Sequence, residues 1–212
     1  MKMESRHQCL IYEGSPSRML QAVAATLRQK LSENYRCLYL NSAVMVAGMR
    51  CYLAAAGTDV AYEVGRTSLM LRSEQQHLVD GKFELGRMMY TLNDALDQAL
   101  NDGYSGLWAT GDMTWELGPQ KDFSKLLEYE LRLEEFLRQH SAFGGICQYH
   151  ADTLPREILR QALHTHPSIF VNETLSHINP HYLRGEYHRD PLAINPQMES
   201  MIDRLCICGD PN

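Results

Sequence analysis

The stretch HQCLIYEGSPSRMLQAVAATL, from His7 to Leu27, decides the fold expected for this chain. Its first six residues form a short apolar run typical of a buried strand, residues 13–16 are typical of a tight turn, and the rest is an amphipathic helix. A buried strand that leads through a turn into a helix is the repeating unit of α/β proteins with parallel sheets. In such sheets ligands bind at the carboxyl ends of the strands, and phosphates bind at this kind of turn.

Strand-like and helix-like segments alternate along the rest of the chain. The pattern predicts an α/β fold with a mostly parallel central sheet of five to seven strands, helices on both faces, and His7–Tyr12 as an interior strand. Ser42 is expected to cap the second helix and Gly57 to end it. Residues 59–64 (DVAYEV) and 68–73 (SLMLRS) are expected to form a hairpin. Further strands are predicted at residues 36–41, 106–110, 144–149 and 168–172, and helices at 17–31, 42–57, 83–102, 122–140 and 155–164.

The first turn has the position of a phosphate-binding loop but lacks its chemistry. Such a loop reads G-x-x-x-x-G-K-[ST], because backbone N–H groups and the lysine together neutralise the phosphates. Gly14 could begin the loop, but Met19, Leu20 and Gln21 occupy the positions of the second glycine, the lysine and the hydroxyl residue. Pro16 also removes one N–H donor from the turn. We therefore expect no hydrolysis of nucleoside triphosphates.

Composition excludes several other classes of protein. The chain has 212 residues and a formal net charge of −6, which argues against a general nucleic-acid binder with a basic face. No apolar run reaches the roughly 18–20 residues that a transmembrane helix needs, and the polar beginning MKMESRHQ is unlike a secretory signal. The six cysteines lie mostly in apolar segments, which favours reduced thiols and a cytoplasmic location.

Four motifs in order resemble a known family. His7, Cys9 and Tyr12 form an H-x-C-x-x-Y pattern, which is followed by GLWATGDMTW (106–115) and YELRLEEF (129–136). The last motif is ICQYHADTLPREILRQALHTHPSIFVN (146–172), with NPHY close behind it. These segments resemble the MEDS domain, the sensory domain of methanogens, methylotrophs and the dichloromethane-responsive regulator.

The resemblance implies a sensory domain over residues 1–183. After Tyr182 the chain turns polar, with prolines at 191 and 196, which predicts a tail at 184–212 that carries at most one short helix. The resemblance further implies a degenerate relative of the RecA/KaiC-type phosphate-loop fold, which agrees with the altered first loop. Such domains are regarded as modules that detect small hydrocarbon derivatives and are attached to signalling parts. No helix-turn-helix or kinase signature accompanies the domain in this chain, so it is expected to be either a stand-alone sensor that acts on a partner or a family member whose output the sequence does not identify.

The predicted ligand site combines the first strand with the loop after GLWAT. His7 and Cys9 are two residues apart and therefore point to the same face of a strand. Tyr12 ends that strand, while Asp112 and Trp115 follow the buried strand GLWAT (106–110), where an aromatic ring could form a pocket wall. His7 and Cys9 could contact a ligand, bind a metal or activate a thiolate; alternatively, Cys9 is a small buried residue and His7 caps the strand.

Two residues join the predicted site on weaker grounds. Glu130 matches the family pattern and is carried over from it, whereas Glu128, Glu134 and Glu135 are expected on the solvated face of the same helix. Cys147 could lie beside Cys9 near a pocket or could belong to the core, and the core is favoured.

No metal and no cofactor are expected. A structural zinc site usually needs four ligands, and the sequence contains no CxxC pair that could supply two of them. Cys206 and Cys208 offer two ligands at most. His164 and His166 lie in HTHP, which reads as a structural connector between a helix and a strand because proline favours extended geometry in the preceding residue.

The sequence therefore predicts a non-enzymatic sensor that binds a small, uncharged organic ligand and regulates a partner protein, with no direct contact to nucleic acid or membrane. Two alternatives remain open at this point. One is a protein-interaction module without a ligand that uses the acidic helix at 122–140. The other is an enzyme with Cys9 as its nucleophile, which would need an activating base and oxyanion donors.

Overall fold

The computed structural model describes residues 6–116, 123–183 and 195–207, without the side chains of Trp115, Glu116 and Ile207. The strands of the central sheet are β1 (His7–Tyr12), β2 (Tyr35–Leu40), β3 (Leu69–Arg72), β6 (Gly106–Asp112), β7 (Phe143–His150), β8 (Ser168–Asn172) and β9 (Leu175–Ile178), and β4 (Leu78–Val79) pairs separately with β5 (Lys82–Phe83). The helices are α1 (Ser17–Ser32), α2 (Ala43–Ala55), α3 (Val60–Gly65), α4 (Leu85–Asn101), α5 (Met113–Glu116), α6 (Leu126–Gln139), α7 (Arg156–Thr165) and α8 (Pro196–Ile207).

The sheet has the order β3-β2-β6-β7-β1-β8-β9, and every neighbouring pair is parallel except β8 and β9. Strand β1 lies between β7 and β8, so both of its edges are paired. The predicted α/β class, the mostly parallel sheet and the interior position of His7–Tyr12 are confirmed. Burial on both faces explains why these strands are almost continuously apolar.

Alternating side chains of β1 serve two separate cores. Cys9 and Ile11 pack against α4, α6, α7 and α8 on one face of the sheet. Leu10 and Tyr12 pack against α1 and α2 on the other face. Because neighbouring strand residues point to opposite faces, odd- and even-numbered residues of β1 enter different cores. We call the face with Cys9 and Ile11 the α6 face, and the face with Leu10 and Tyr12 the α1 face.

Local capping signals behaved as expected from the sequence. The Ser42 hydroxyl accepts a hydrogen bond from the backbone N–H of Met45 (3.5 Å), which satisfies a free donor of the first turn of α2. Gly57 follows that helix with φ of +85°, a conformation that favours glycine.

The predicted hairpin at 59–73 is wrong. Residues 60–65 form α3, because the Asp59 carboxylate accepts the backbone N–H of Tyr62 (3.0 Å) and caps a helix. The alternation of Val60, Tyr62 and Val64 suggested a strand, yet the Tyr62 side chain is exposed and no half-buried strand face exists there. Strand β3 is present as predicted, but it pairs in parallel with β2. Strand β9 was not predicted.

Within the segment predicted as a tail, α8 packs against the α6 face. Its Met198 and Ile202 side chains belong to the core, and Glu199 accepts from Arg156 of α7 (2.9 Å). Cys208 lies outside the described residues. None of the described helices combines the length and apolarity needed to cross a bilayer.

Candidate functional site

Four polar side chains from four elements meet on the α6 face. His7 begins β1, Cys147 lies on the neighbouring β7, Glu130 comes from α6, and His166 follows the end of α7. One ligand-capable atom from each lies within 4.8 Å of the other three, and all four residues are buried. We call this group the His–Glu–Cys cluster.

Strand register and helix period bring these residues together in the folded chain. His7 pairs with Gly145 across the β1–β7 ladder, so Cys147 lies two residues further along the same face. Glu130 lies on the buried side of α6, in line with Leu126 and Leu133. Thr165 ends α7, and the extended backbone of His166 then turns the imidazole ring toward the sheet.

The carboxylate of Glu130 is at the centre of the cluster. Its Oε2 lies 3.6 Å from Nε2 of His7, 3.4 Å from Nε2 of His166 and 3.9 Å from Sγ of Cys147. Sγ of Cys147 also lies 3.8 Å from Nε2 of His7. The N···O separations are longer than good N–H···O hydrogen bonds, so these groups face one another without tight pairing.

A second layer of hydrogen bonds orients three of the four cluster residues. Nδ1 of His7 donates to Oε2 of Glu134 (2.7 Å), and Nδ1 of His166 donates to the carbonyl oxygen of Ala162 (2.8 Å). The Tyr149 hydroxyl donates to Oε1 of Glu130. Both imidazoles therefore direct Nε2 toward the cluster.

Burial and neighbouring charges shift the pKa values of the cluster residues in different directions. Burial lowers the pKa of His7, but the hydrogen bonds and charges of Glu130 and Glu134 outweigh it and raise that pKa above its ordinary value. Burial would raise the pKa of both carboxyls, yet the two imidazoles hold it below the usual range. For His166, burial and the nearby His7 lower the pKa to about 4. At neutral pH, His166 is therefore neutral and its Nε2 carries a lone pair.

A small cavity adjoins the cluster. Its volume is about 30 Å³, and its walls are mainly apolar. His7 and Cys147 line one side of it. The other walls include Ala109, Met113 and residues of α4 and α6. Its remaining lining residues are Leu40, Leu92, Thr110, Gly111, Tyr129, Leu133, Leu137, Phe143, Gly145 and Ile146.

A separate polar group lies at the carboxyl end of the sheet. The Tyr12 hydroxyl donates to Oδ2 of Asp112 (3.3 Å), and the Tyr12 ring stacks on His150 with centroids 5.0 Å apart. Tyr12 belongs to the α1 face, whereas His7 and Cys9 belong to the α6 face. The residues predicted as one site therefore fall into two groups, because Tyr12 is an odd number of residues away from His7 and Cys9.

Of the remaining predicted site residues, Cys9 is fully buried on the α6 face and its thiol donates to the carbonyl oxygen of Ser168 (3.7 Å). Burial, reinforced by the charge of Glu130, raises the pKa of this thiol well above its ordinary value. This environment favours the protonated thiol of Cys9 over the thiolate. Trp115 lies in α5, and its side chain is outside the described part of the chain.

The prediction that Glu134 lies on the solvated face is wrong. Its side chain is 7% exposed and binds both His7 and the Tyr182 hydroxyl. The i, i+4 spacing from Glu130 places it on the same buried side of α6, and this signal was present in the sequence. Glu128 is exposed, as expected. His166 is a connector, as predicted, but it also enters the cluster, which no local spacing indicated.

Comparisons with known proteins agree with the fold. The model of the MEDS family (MEthanogen/methylotroph, DcmR Sensory domain) matches residues 6–167. No curated protein sequence matches the chain. Among solved structures, the Pyrococcus horikoshii protein PH0321, described as uncharacterized and in complex with an unknown peptide, is similar with a TM-score of 0.53 and 17% identity. The match covers 79% of this chain and 78% of that one, and at this identity it supports the fold alone.

The family match covers the chain from β1 to the end of α7, which leaves out β8 and β9, and it includes every residue of the His–Glu–Cys cluster. On this evidence the chain belongs to the MEDS family of sensory domains.

Proposed function

We propose that this domain is a sensor that binds a small, uncharged organic molecule in the cavity beside His7 and Cys147 and regulates a partner protein. The observation that carries the proposal is the cavity itself. It combines mainly apolar walls with two reactive side chains on one side, which is the composition typical of small-molecule sites.

The size of the cavity limits the ligand. One water occupies about 10–15 Å³ by the same measure, so a volume of about 30 Å³ holds about two or three water-sized groups. Among the described residues, the walls offer no charged partner apart from the His7 side of the cavity, and burying an unpaired charge there would be costly. One- or two-carbon compounds without charge fit both limits.

Binding could be transmitted through the elements that form the walls. Met113 belongs to α5, and Tyr129 and Leu133 belong to α6. A ligand shifts a conformational equilibrium only as far as its affinities for the two conformations differ. Helix α6 contacts the ligand site on one side and has exposed residues on the other, so it is the element proposed to signal to the partner.

Filling the cavity should abolish binding. We expect Ala109→Val to remove the response of the melting temperature to a panel of uncharged one- and two-carbon alcohols and halomethanes, because Ala109 lies in the cavity wall and valine suits a strand. Ala55→Val, at an exposed position of α2, should respond like the parent. The proposal fails if no compound of the panel binds the parent, or if Ala109→Val binds as the parent does.

We also propose that the domain is a RecA/KaiC-type relative that does not hydrolyse nucleotides. The backbone N–H of Gly14 donates to Oδ2 of Asp152 (2.9 Å), and Nε2 of His150 donates to the Gly14 carbonyl (2.8 Å). A carboxylate thus takes the N–H that a phosphate would need, and it would repel a phosphate.

In an assay of phosphate release with magnesium and ATP or GTP, the parent protein should not exceed a buffer blank. Turnover that exceeds the blank and disappears in Asp112→Asn would show that the first loop retains catalytic function.

A further inference from the structure

We propose that His7, Glu130, Cys147 and His166 bind one divalent transition-metal ion of the zinc type. Two imidazoles, one thiol and one carboxylate form a ligand set that zinc-type ions accept, whereas calcium and magnesium prefer oxygen ligands alone. The four residues come from β1, α6, β7 and the end of α7, so the site exists only in the folded chain.

The distances between the ligand atoms match a tetrahedral ion. Zinc lies about 2.0–2.2 Å from nitrogen or oxygen and about 2.3 Å from sulfur, which places tetrahedral ligands about 3.3–3.6 Å from one another. Oε2 of Glu130 is 3.6 Å and 3.4 Å from the two Nε2 atoms. Sγ of Cys147 is 3.8 Å from Nε2 of His7 and 3.9 Å from Oε2 of Glu130. Four of the six edges thus need a contraction of at most a few tenths of an ångström.

One of the buried polar atoms that lack a partner among the described residues points into this tetrahedron. Nε2 of His166 is buried and has no hydrogen-bond partner among the described residues. Its ring donates from Nδ1 to Ala162, so Nε2 is an acceptor. The neighbours that Nε2 faces are themselves an acceptor and a second imidazole, with ring centroids of His7 and His166 only 4.0 Å apart. A buried acceptor that faces a carboxylate oxygen is costly, and a cation between the two atoms satisfies both.

The surrounding hydrogen bonds are those that orient metal ligands. Ligating histidines donate their other ring nitrogen to a carboxylate or a backbone carbonyl, and ligating carboxylates are held in turn. His7 donates to Glu134, His166 donates to Ala162, and Glu130 accepts from Tyr149. Glu134 is therefore a positioning residue, because it acts on the metal only through His7.

This site goes beyond the proposed function and does not depend on it: His7 and Cys147 border both the cavity and the cluster, but Glu130 and His166 do not line the cavity. It also reverses the expectation of no metal. That expectation considered ligands close together in sequence, whereas here the tertiary structure combines four separate positions.

The first experiment uses the full chain, treated with a chelator and then titrated with Co²⁺ alone. We expect saturation at one ion per chain, with a thiolate-to-cobalt charge-transfer band and the intense visible bands of tetrahedral Co²⁺, both of which Zn²⁺ then removes. Absence of a one-to-one endpoint, or octahedral spectra without the thiolate band, would refute the site.

Two cysteine variants test the ligand assignment. Cys147→Ser should lose the charge-transfer band. Cys37→Ser should keep it, because Cys37 is also buried but lies on the α1 face. The reverse result, or retention of the band in both variants, would exclude Cys147 as a ligand.

Glu134 provides a readout of positioning. Glu134→Ala should weaken Co²⁺ binding about 10–100-fold without changing the spectrum, and Glu134→Gln should restore much of the affinity because the amide oxygen still accepts from Nδ1 of His7. Affinities that are equal in all three proteins would contradict the role.

Nitrogen-15 NMR of the histidines needs no variant. With one equivalent of Zn²⁺, two of the nine histidines should show Nε2 coordination with Nδ1 still protonated. The site would be refuted if zinc shifted the signals of no histidine, or if the number of coordinating histidines differed from two. This test remains valid even if a cysteine variant fails to fold.

Discussion

Gly145→Ala is expected to lower the free energy of unfolding by about 3 kcal/mol or more, the upper end of what overpacking costs in a core. A Cβ atom at this position would lie 2.1 Å from the carbonyl oxygen of Ala109 and 3.1 Å from its carbonyl carbon. These are backbone atoms of the paired strand β6, so they cannot move aside as a flexible side chain could. Urea denaturation of parent and variant measures the loss.

Gly65→Ala provides the control. Nothing lies within 4 Å of a Cβ atom at Gly65, and its backbone does not require glycine, so this variant should unfold with nearly the parent midpoint. A parent-like midpoint for Gly145→Ala would mean that β6 and β7 are not packed at this register. Because Gly145 pairs with His7, such a result would also change the geometry expected for the cluster.

Glu130→Leu is expected to cost about 3–5 kcal/mol in chelator-treated protein, the usual loss when one partner of a buried charged group is removed. Leucine has a similar volume, so the loss would come from the polar partners that remain. The Tyr149 hydroxyl would lose its acceptor, and His7 would lose one of its two carboxylates. Both partners are fully buried and cannot turn to water.

Glu128→Leu is the matched control, because it makes the same change on the exposed side of the same helix. It should alter the unfolding free energy by no more than about 0.5 kcal/mol, as surface substitutions usually do. Equal stabilities for the two variants would show that the Glu130 carboxylate does not stabilise the described arrangement of the cluster.

The stability of the cluster and its proposed metal binding are separate questions. The unfolding experiments are carried out without metal and report on hydrogen bonds and burial. The cobalt experiments report on ligand geometry. Neither depends on the organic ligand, so failure of the cavity proposal would leave both results interpretable.

Local patterns in the sequence determined most of the fold. Apolar runs of five or six residues identified β1, β2, β6, β7 and β8, and amphipathic periodicity identified the helices between them. These signals are reliable because each element buries its own apolar side against the sheet. The error at 59–64 arose where two local signals competed, since the capping carboxylate of Asp59 outweighed the alternation of three apolar residues.

The sequence also indicated three of the four members of the cluster, although it assigned them to a ligand site without a metal. The position of His7 at the start of a buried strand indicated a functional residue. Glu130 was included because of the family resemblance, and Cys147 because of strand alternation. The buried position of Glu134 could have been read from its spacing of four residues after Glu130.

Only the tertiary structure decided that these residues meet. His7 and His166 are 159 positions apart in the sequence, and their rings approach because β1 pairs with both β7 and β8, which places the end of α7 beside the start of β1. The alternation of side chains along β1 likewise placed Tyr12 and His7 on opposite faces of the sheet, although both lie on one short strand. Local periodicity specifies which way a side chain points along its own element, whereas the order and register of the strands specify which other side chains it faces.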